Sequence, residues 1–494
     1  MDKFLLKGWP WGASGLPVSG SPVPPDASLT DSKEVIPRHW VQYFKTDLLN
    51  LNMFNPAGLR HLLLMRPGKH FLWSIFFVTF SLPAADGPRL FDVREWGARG
   101  DGKTPDTAAV QKALDECGRS GGGTVKFSRG TYLCQPLTVP AKTTMLLEAG
   151  ATLLASPVQS DFLKGGGDWL KAKSGGDFIP FISGKDAPEV TIAGEGTIDG
   201  NGAVWWDEAE KARQKVPGFT LPRPNLIVFT RCDRLRLTGV RLVNSPKFHF
   251  VPTECNDVTV DHVTILAPVG AANTDGIDPS NCRNVTITRC TIDTGDDNIA
   301  IKSGKKVPGR EFGCENITVT DCVFRHGHGL SIGSETVGGV RHLVVRNCRF
   351  DGTENGIRIK SRRGKGGTVE EVSYSDITMT NVFPALSIAC YYQDSSQAQY
   401  PKDDPAQPVT DTTPSIRNIR ISNLTATSTR NAGLIVGLPE SEVSEVWFDN
   451  VHITAQTGLT IANAKGIKLK NTDVAVKSGP PFFLDKAQVE GLTR

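Results

Sequence analysis

A chain of 494 residues with 50 Gly and 32 Pro, 22% charged and 39% hydrophobic, is globular, has room for a large core, and is too rich in glycine to be mainly helical. Its formal charge of +3 resides in the first 85 residues, where eight Lys+Arg stand against five Asp+Glu; the remainder carries 47 of each sign, which argues against a nucleic-acid partner. All ten cysteines follow residue 85 and no CxxC pair occurs, which argues against a zinc ribbon.

Residues 1–64 hold Pro/Gly/Ser clusters such as "WGASGLPVSGSPVPPDAS" and no sustained periodicity. They read as an extension outside the fold, left by a start site placed upstream of a true Met65; an internal anchor behind a cytoplasmic tail is the alternative. From Met65 a basic start (Arg66, Lys69) precedes a mostly apolar run from Phe71 to Leu82 and the small residues Pro83-Ala84-Ala85. This is the layout of a secretory signal peptide over 65–85, and the run is too short to span a bilayer. A single domain over 86–494, secreted or periplasmic and without membrane attachment, is expected to remain.

The section from Leu90 to Thr131 predicts a strand, a helix over Asp106–Cys117, a Gly-rich turn and a second strand. Such a helix would cap an open sheet end. Further on, "RCDRLRLTGV" (231–240), "ECNDVTVDHV" (254–263), "NCRNVTITRC" (281–290) and "GCENITVTDC" (313–322) align, with starts 23, 27 and 32 residues apart. Weaker copies continue to "NAKGIKLKNT". Each is a short strand with apolar residues at alternate positions after a polar turn. One strand per copy at such a period predicts an all-β, right-handed parallel β-helix with a short N-terminal capping helix. Cys232, Cys255, Cys282 and Cys314 share one repeat position; Cys290, Cys322 and Cys348 share another. Stacking about 4.8 Å apart would make them ladders of buried thiols. Disulfides are the alternative, with Cys117–Cys134 the first pair to test.

In "TGDDNIAIKSG" (294–304) two adjacent acids, Asp296 and Asp297, open a half-buried strand, where they repel each other unless something uses them. Asp275 in "NTDG" lies 21 residues before Asp296, and His328 in "GHGLSIGSE" 32 after it. Arg358 and Lys360 in "GIRIKS" follow His328 by 30 and 32 residues and point the same way on a strand. Each interval approximates one solenoid turn, so these side chains would line one wall. Crowded carboxylates can divide into a protonated acid and an ionised base, the division used in glycoside hydrolysis. Two cations beside them suit an acidic sugar.

Together "NTDGID", "TGDDNIAIKSG", "GHGLSIGSE" and "GIRIKS", with "GTIDGNGAVWW", "RPNLIVF" and "VNSPKFH", resemble the polygalacturonase family of glycoside hydrolases, family 28, over roughly residues 88–480. The resemblance implies hydrolysis of α-linked galacturonate in pectin with inversion and without a metal or other cofactor. It implies Asp296 as general acid, Asp275 and Asp297 positioning and deprotonating water, and His328 supporting the protonation state of the acid. It assigns the uronate carboxylate to Arg358 and Lys360, and an active-site tyrosine to Tyr392 in "ALSIACYY", with Tyr391 adjacent. The carboxylates of the family lie closer together than is usual for inverting enzymes.

Other readings stand beside these. An Asp pair in a turn is by itself more often a cap or a calcium ligand. His326 and His328 could bind metal, but no third ligand at suitable spacing is evident. "RRGKGG" (362–367) reads as a flexible basic turn at a cleft rim, Trp205 and Trp206 as packing under a loop, and 391–413 as a long loop beside the working face. The Asn-x-Thr triplets at Asn284, Asn316 and Asn423 follow from the repeat. An exo-acting or rhamnogalacturonan-directed hydrolase, a calcium-dependent pectate-type lyase and a non-catalytic carbohydrate-binding β-helix are the competing functions. The expected partner is an acidic polysaccharide, acted on by a monomer.

Overall fold

Three strands recur in each turn of the chain, and each pairs in parallel with its counterpart in the next turn. The computed structural model describes residues 89–215, 221–392, 401 and 403–492; the expected extension (1–64) and signal peptide (65–85) lie outside them. One column of partners runs Val258, Val285, Ile317, Leu343, Val372, Ile419, Val446, Ile467. A second runs Leu242, Ile265, Ile292, Phe324, Phe350, Met379. A third runs Ile227, Phe250, Ile277, Ile299, Leu330, Ile357, Leu386. All these side chains are buried, so the core is a stack of identical apolar positions inside a parallel β-helix.

The polar residue near the start of each repeat strand has a backbone reason. Arg234, Asp257, Asn284, Asn316, His342, Glu371, Asn418 and Glu445 all sit at φ between 53° and 58°, the left-handed region that Asn and Asp tolerate best. Some of them also ladder: Asn284 Nδ2 donates to Asp257 at 2.9 Å and Asn316 Nδ2 to Asn284 at 3.1 Å. Asn423 Nδ2 donates to Asp376 at 3.0 Å. The amide nitrogens of all three Asn-x-Thr triplets are therefore engaged in the fold, which argues against glycosylation there.

All ten cysteines are free and buried. In the ladders each thiol donates to a backbone carbonyl, as Cys255 does to Thr253, Cys282 to Ser280, and Cys322 to Thr320. Cys117 lies against Thr143 rather than Cys134. The expected capping helix runs Thr107–Arg119 and buries Val110, Ala113, Leu114 and Cys117, one apolar stripe at helical spacing. Asp106, just before it, is buried and accepts from the amides of Arg99 (2.7 Å) and Gly100 (3.0 Å). A second helix, Ala203–Lys215, was not legible from the repeat. Its Trp205 packs edge-on against Trp169, Phe162 and Phe178 and is 1% exposed, a core residue rather than a sugar platform. Trp206 donates its indole N–H to Ser245 O.

Candidate active site

The third column carries the site. Ile277 pairs with Ile299 and Ile299 with Leu330, so the residues two places earlier, Asp275, Asp297 and His328, share one register position. Asp296 sits one residue before that position, in the turn. The 21-residue interval had matched Asp275 with Asp296; the true partner of Asp275 is Asp297, 22 residues on. Two glycines permit the close approach. A Cβ on Gly276 would meet Asn298 O at 2.5 Å, and Gly327, at φ +71°, brings His328 N within 2.9 Å of Asp296 O.

Asp297 is 2% exposed and held on all sides. Lys360 Nζ donates to its Oδ2 at 2.6 Å, Ser331 Oγ to its Oδ1 at 2.7 Å, and Arg358 Nη1 approaches at 3.5 Å. Burial alone would raise its pKa, but the charges of Lys360 and Arg358 prevail and lower it. Both cations therefore face Asp297, a buried pairing not foreseen from the spacing, and both lie near the ring of Tyr392, at 5.5 and 5.3 Å from its centroid. Tyr391, in contrast, is buried and donates to Asp404 at 2.7 Å, so the two adjacent tyrosines have separate surroundings.

Asp296 is the more open acid. Its Oδ1 lies 3.0 Å from His328 Nδ1 and accepts from Asp297 N at 2.8 Å; Asn273 Nδ2 reaches Oδ2 at 3.4 Å. Burial opposes ionisation, yet the His328 contact, Lys360 and the Asp297 amide hold this carboxyl far below the usual range. On the far side, His328 Nε2 stands 2.8 Å from Glu354 Oε2. Burial would lower the imidazole, but Asp296 and Glu354 overcome it and raise His328 to about 10. In the free site the proton of this pair rests on the imidazole.

Asp275 has the opposite environment. It is 3% exposed, and its pKa is raised well above the usual value by burial and then by Asp278, with Lys302 opposing. Its Oδ2 accepts from Lys302 Nζ at 3.2 Å, while its Oδ1 is buried with no hydrogen-bond partner. Lys302 also bonds Asp278, whose carboxyl burial raises to about 6. Asp278, Lys302, Ser331 and Glu354 were missed in the sequence. The first three stand within the quoted motifs "NTDGID", "TGDDNIAIKSG" and "GHGLSIGSE", and only the turn-to-turn register reveals their contacts.

Donor atoms of Asp296, Asp297 and His328 lie within 4.8 Å of one another, a three-residue set that leaves out His326 and so differs from the His326–His328 pair weighed in the sequence. Lys360 and Arg358 already neutralise Asp297, however, and a further cation would be repelled by them. His326 turns away to Asp293, 2.8 Å distant. The basic rim is pinned rather than free: Arg363 binds Glu440 at 2.6 and 2.7 Å and Asp404 at 2.7 Å, and Lys365 pairs with Glu335 at 3.3 Å. Residues 393–400 of the adjoining loop lie outside the described residues.

Paired carboxylates in contrasting environments, an imidazole and two cations along one wall of a parallel β-helix define an acid/base hydrolase of glycosides. The chain belongs to glycosyl hydrolases family 28, whose model matches residues 130–476. A model for rhamnogalacturonase A/epimerase, pectate lyase-like, matches only residues 90–169, which stop short of the site. The chain is 37% identical over 307 residues to an endo-polygalacturonase of Pectobacterium carotovorum subsp. carotovorum, covering 60% of this chain and 74% of that protein. It is 34% identical over 337 residues to a probable polygalacturonase of Arabidopsis thaliana, covering 66% and 67%. The solved polygalacturonase from Erwinia carotovora ssp. carotovora superposes with a TM-score of 0.63 at 28% identity, covering 82% of this chain and 98% of that one. An exopolygalacturonase from Thermotoga maritima, 24% identical with a TM-score of 0.65 over 78% and 92%, shares the fold.

Proposed function

We propose that the chain hydrolyses α-1,4-galacturonosidic bonds of polygalacturonate with inversion at the anomeric carbon. The proton held by His328 crosses the 3.0 Å contact to Asp296, which passes it to the leaving oxygen as the bond breaks. Asp275 and Asp297 orient the attacking water, and one of them takes its proton. Arg358, Lys360 and Tyr392 receive the uronate at the cleaved bond. The observation that carries this reading is the contrast of environments within one column: Asp275 has a buried, unpartnered oxygen, and Asp296 leans on a protonated imidazole. A calcium-dependent lyase would need an arginine available as base, and Arg358 is already turned to Asp297. The signal-peptide reading of residues 65–85 places this activity outside the cytoplasm, secreted or periplasmic, in a monomeric protein. No helix among the described residues is long and apolar enough to cross a membrane.

Mass spectrometry of products from polygalacturonic acid tests the reading. Saturated oligomers are expected, with Asp296→Asn slower by about 10²–10⁴-fold, the usual worth of a general acid. A ladder of lengths means endo cleavage and monomer or dimer alone means exo. Unsaturated products would overturn hydrolysis, and an unaffected Asp296→Asn would overturn the assignment of the acid.

A further inference from the structure

The segment Ser245–His249 precedes the strand Phe250–Thr253, whose Phe250 pairs with Ile277, and it is built onto the backbone of Asp275. His249, fully buried, sets both its main-chain N–H (2.8 Å) and its Nδ1 (3.0 Å) against Asp275 O. Pro246 O accepts from the buried Arg223 at 2.7 Å, and Ser245 Oγ donates to Phe248 O at 3.0 Å. This turn is therefore as fixed as the acid beside it. Ser245, Pro246 and His249 are buried; Lys247 and Phe248 are the partly exposed pair between them.

Lys247 has neither an anion nor a hydrogen-bond acceptor among the described residues, whereas the guanidinium of Arg223, also without an anion, is filled by the carbonyl oxygens of Pro246, Leu221 and Ala272. Lys360 and Arg358 face Asp297, and Lys302 is shared by Asp275 and Asp278. Lys247 makes no ion pair or side-chain hydrogen bond among the described residues. Its Nζ lies 4.5 Å from the Phe248 ring centroid, and Lys302 Nζ lies 4.1 Å from the same ring. Burial weakens its hold on the proton, Asp275 favours the charge, and Lys302 and Arg223 oppose it. A desolvated cation without a counter-ion is costly, and an arriving anion recovers that cost.

The column fixes where that anion would lie. Phe250, Ile277, Ile299, Leu330 and Ile357 are successive rungs. Lys247 precedes the first, the acids belong to the second and third, and Arg358 and Lys360 to the fifth. Lys360 and Arg358 reach back to Asp297 on the third rung, so at about 4.8 Å per rung roughly 10 Å of axis separates their charges from the rung of Lys247, with the scissile position between.

We propose that Lys247, with the Phe248 ring as its platform, is a second uronate-binding site, which grips a galacturonate carboxylate on the opposite side of the cleaved bond from Arg358 and Lys360. This rests on the polygalacturonate reading above. It makes Lys247 a binding residue that selects for a run of unesterified uronates and leaves the chemistry to the acids.

The test uses the full-length protein with Lys247→Met and Lys247→Arg, assayed on polygalacturonate and on oligogalacturonides of increasing length. Loss of one charge-assisted contact is expected to raise KM for polygalacturonate about tenfold in Lys247→Met, with a smaller change in kcat. The defect should vanish on oligomers too short to reach the site and on methyl-esterified substrate, and Lys247→Arg should restore most of the affinity. An unchanged KM, or an equal loss on every length and degree of esterification, would overturn the proposal. So would a Lys247→Arg variant that loses thermal stability and activity together with Lys247→Met, since that marks a structural lysine. If the parent itself leaves polygalacturonate intact, the failure belongs to the substrate assignment instead.

Discussion

At the scale of single residues, the site is a set of charges arranged so that neighbouring carboxylates titrate in different ranges. Asp297 is fixed by two cations and a hydroxyl, Asp275 is buried against a second acid, and Asp296 shares a proton with His328. Glu354 is the member that sets this last pair. From its side it faces His328 at 2.8 Å, while Asp296 at 3.0 Å and Asp297 at 3.9 Å face the other nitrogen. Arg358 lies near enough to favour the ionised Glu354. A base raised by an anion loses its proton earlier when that anion is removed. In Glu354→Gln the His328 value, about 10 in the parent, should therefore fall by roughly 1–3 units, the weight of one opposite charge at this range. The alkaline limb of the kcat/KM–pH profile should move to lower pH by that amount, with activity near pH 5 largely retained. A loss uniform across pH would show that Glu354 holds only the shape of the turn.

At the scale of elements, the strands were legible and their exact register was not. Alternating apolar residues, left-handed turn positions and stacked cysteines announce a parallel β-helix, because each turn repeats the same burial. Turns of unequal length hide which residues become neighbours: a one-residue extension places Asp297 rather than Asp296 beside Asp275. The Lys302 and Glu354 contacts were invisible for the same reason, since each joins side chains of different turns. The rim shows a further gap, because "RRGKGG" reads as mobile by composition, yet Arg363 is clamped by Glu440 and Asp404. Tyr391 also donates to Asp404, and Thr412 O accepts from the amides of Gly364 and Gly366 at 3.1 and 3.0 Å. This clamp holds residues 403–413 against the strand end that carries Tyr392. Arg363→Ala would strand two largely buried carboxylates and should cost about 3–5 kcal/mol. Chemical denaturation should show that loss, and kinetics should show a higher KM with less change in kcat, because the acids lie two turns away. Full stability with altered kcat would contradict a purely anchoring role.

At the scale of the whole molecule, a solenoid must finish its sheets at both ends, since open strand edges pair with other chains. The two ends differ. The first turns are covered by the helix Thr107–Arg119, whose buried stripe packs on the strands that begin the columns. The last strand, Phe482–Glu490, pairs only on its inner side among the described residues and leaves Phe483 and Leu484 partly exposed. Asp485, Lys486 and Glu490 interrupt that edge with charge, and Lys486 sits at a φ of 50° that bends the strand out of a flat template. One end is thus shielded by burial and the other by charge and distortion, so the helix is the more vulnerable device. Leu114→Asp places a carboxylate in the fully buried stripe and should cost about 3–5 kcal/mol through lost packing and desolvation. Because turns stabilise only their neighbours, hydrogen exchange should rise first in strands 123–127 and 143–147, while the turns holding Asp275 and Asp297 stay protected. The uncovered edge should also produce concentration-dependent association, visible by light scattering at temperatures where hydrolytic activity persists. Simultaneous loss of protection along the whole chain would instead show that the β-helix melts as one cooperative unit, with the cap contributing to the core rather than guarding its end.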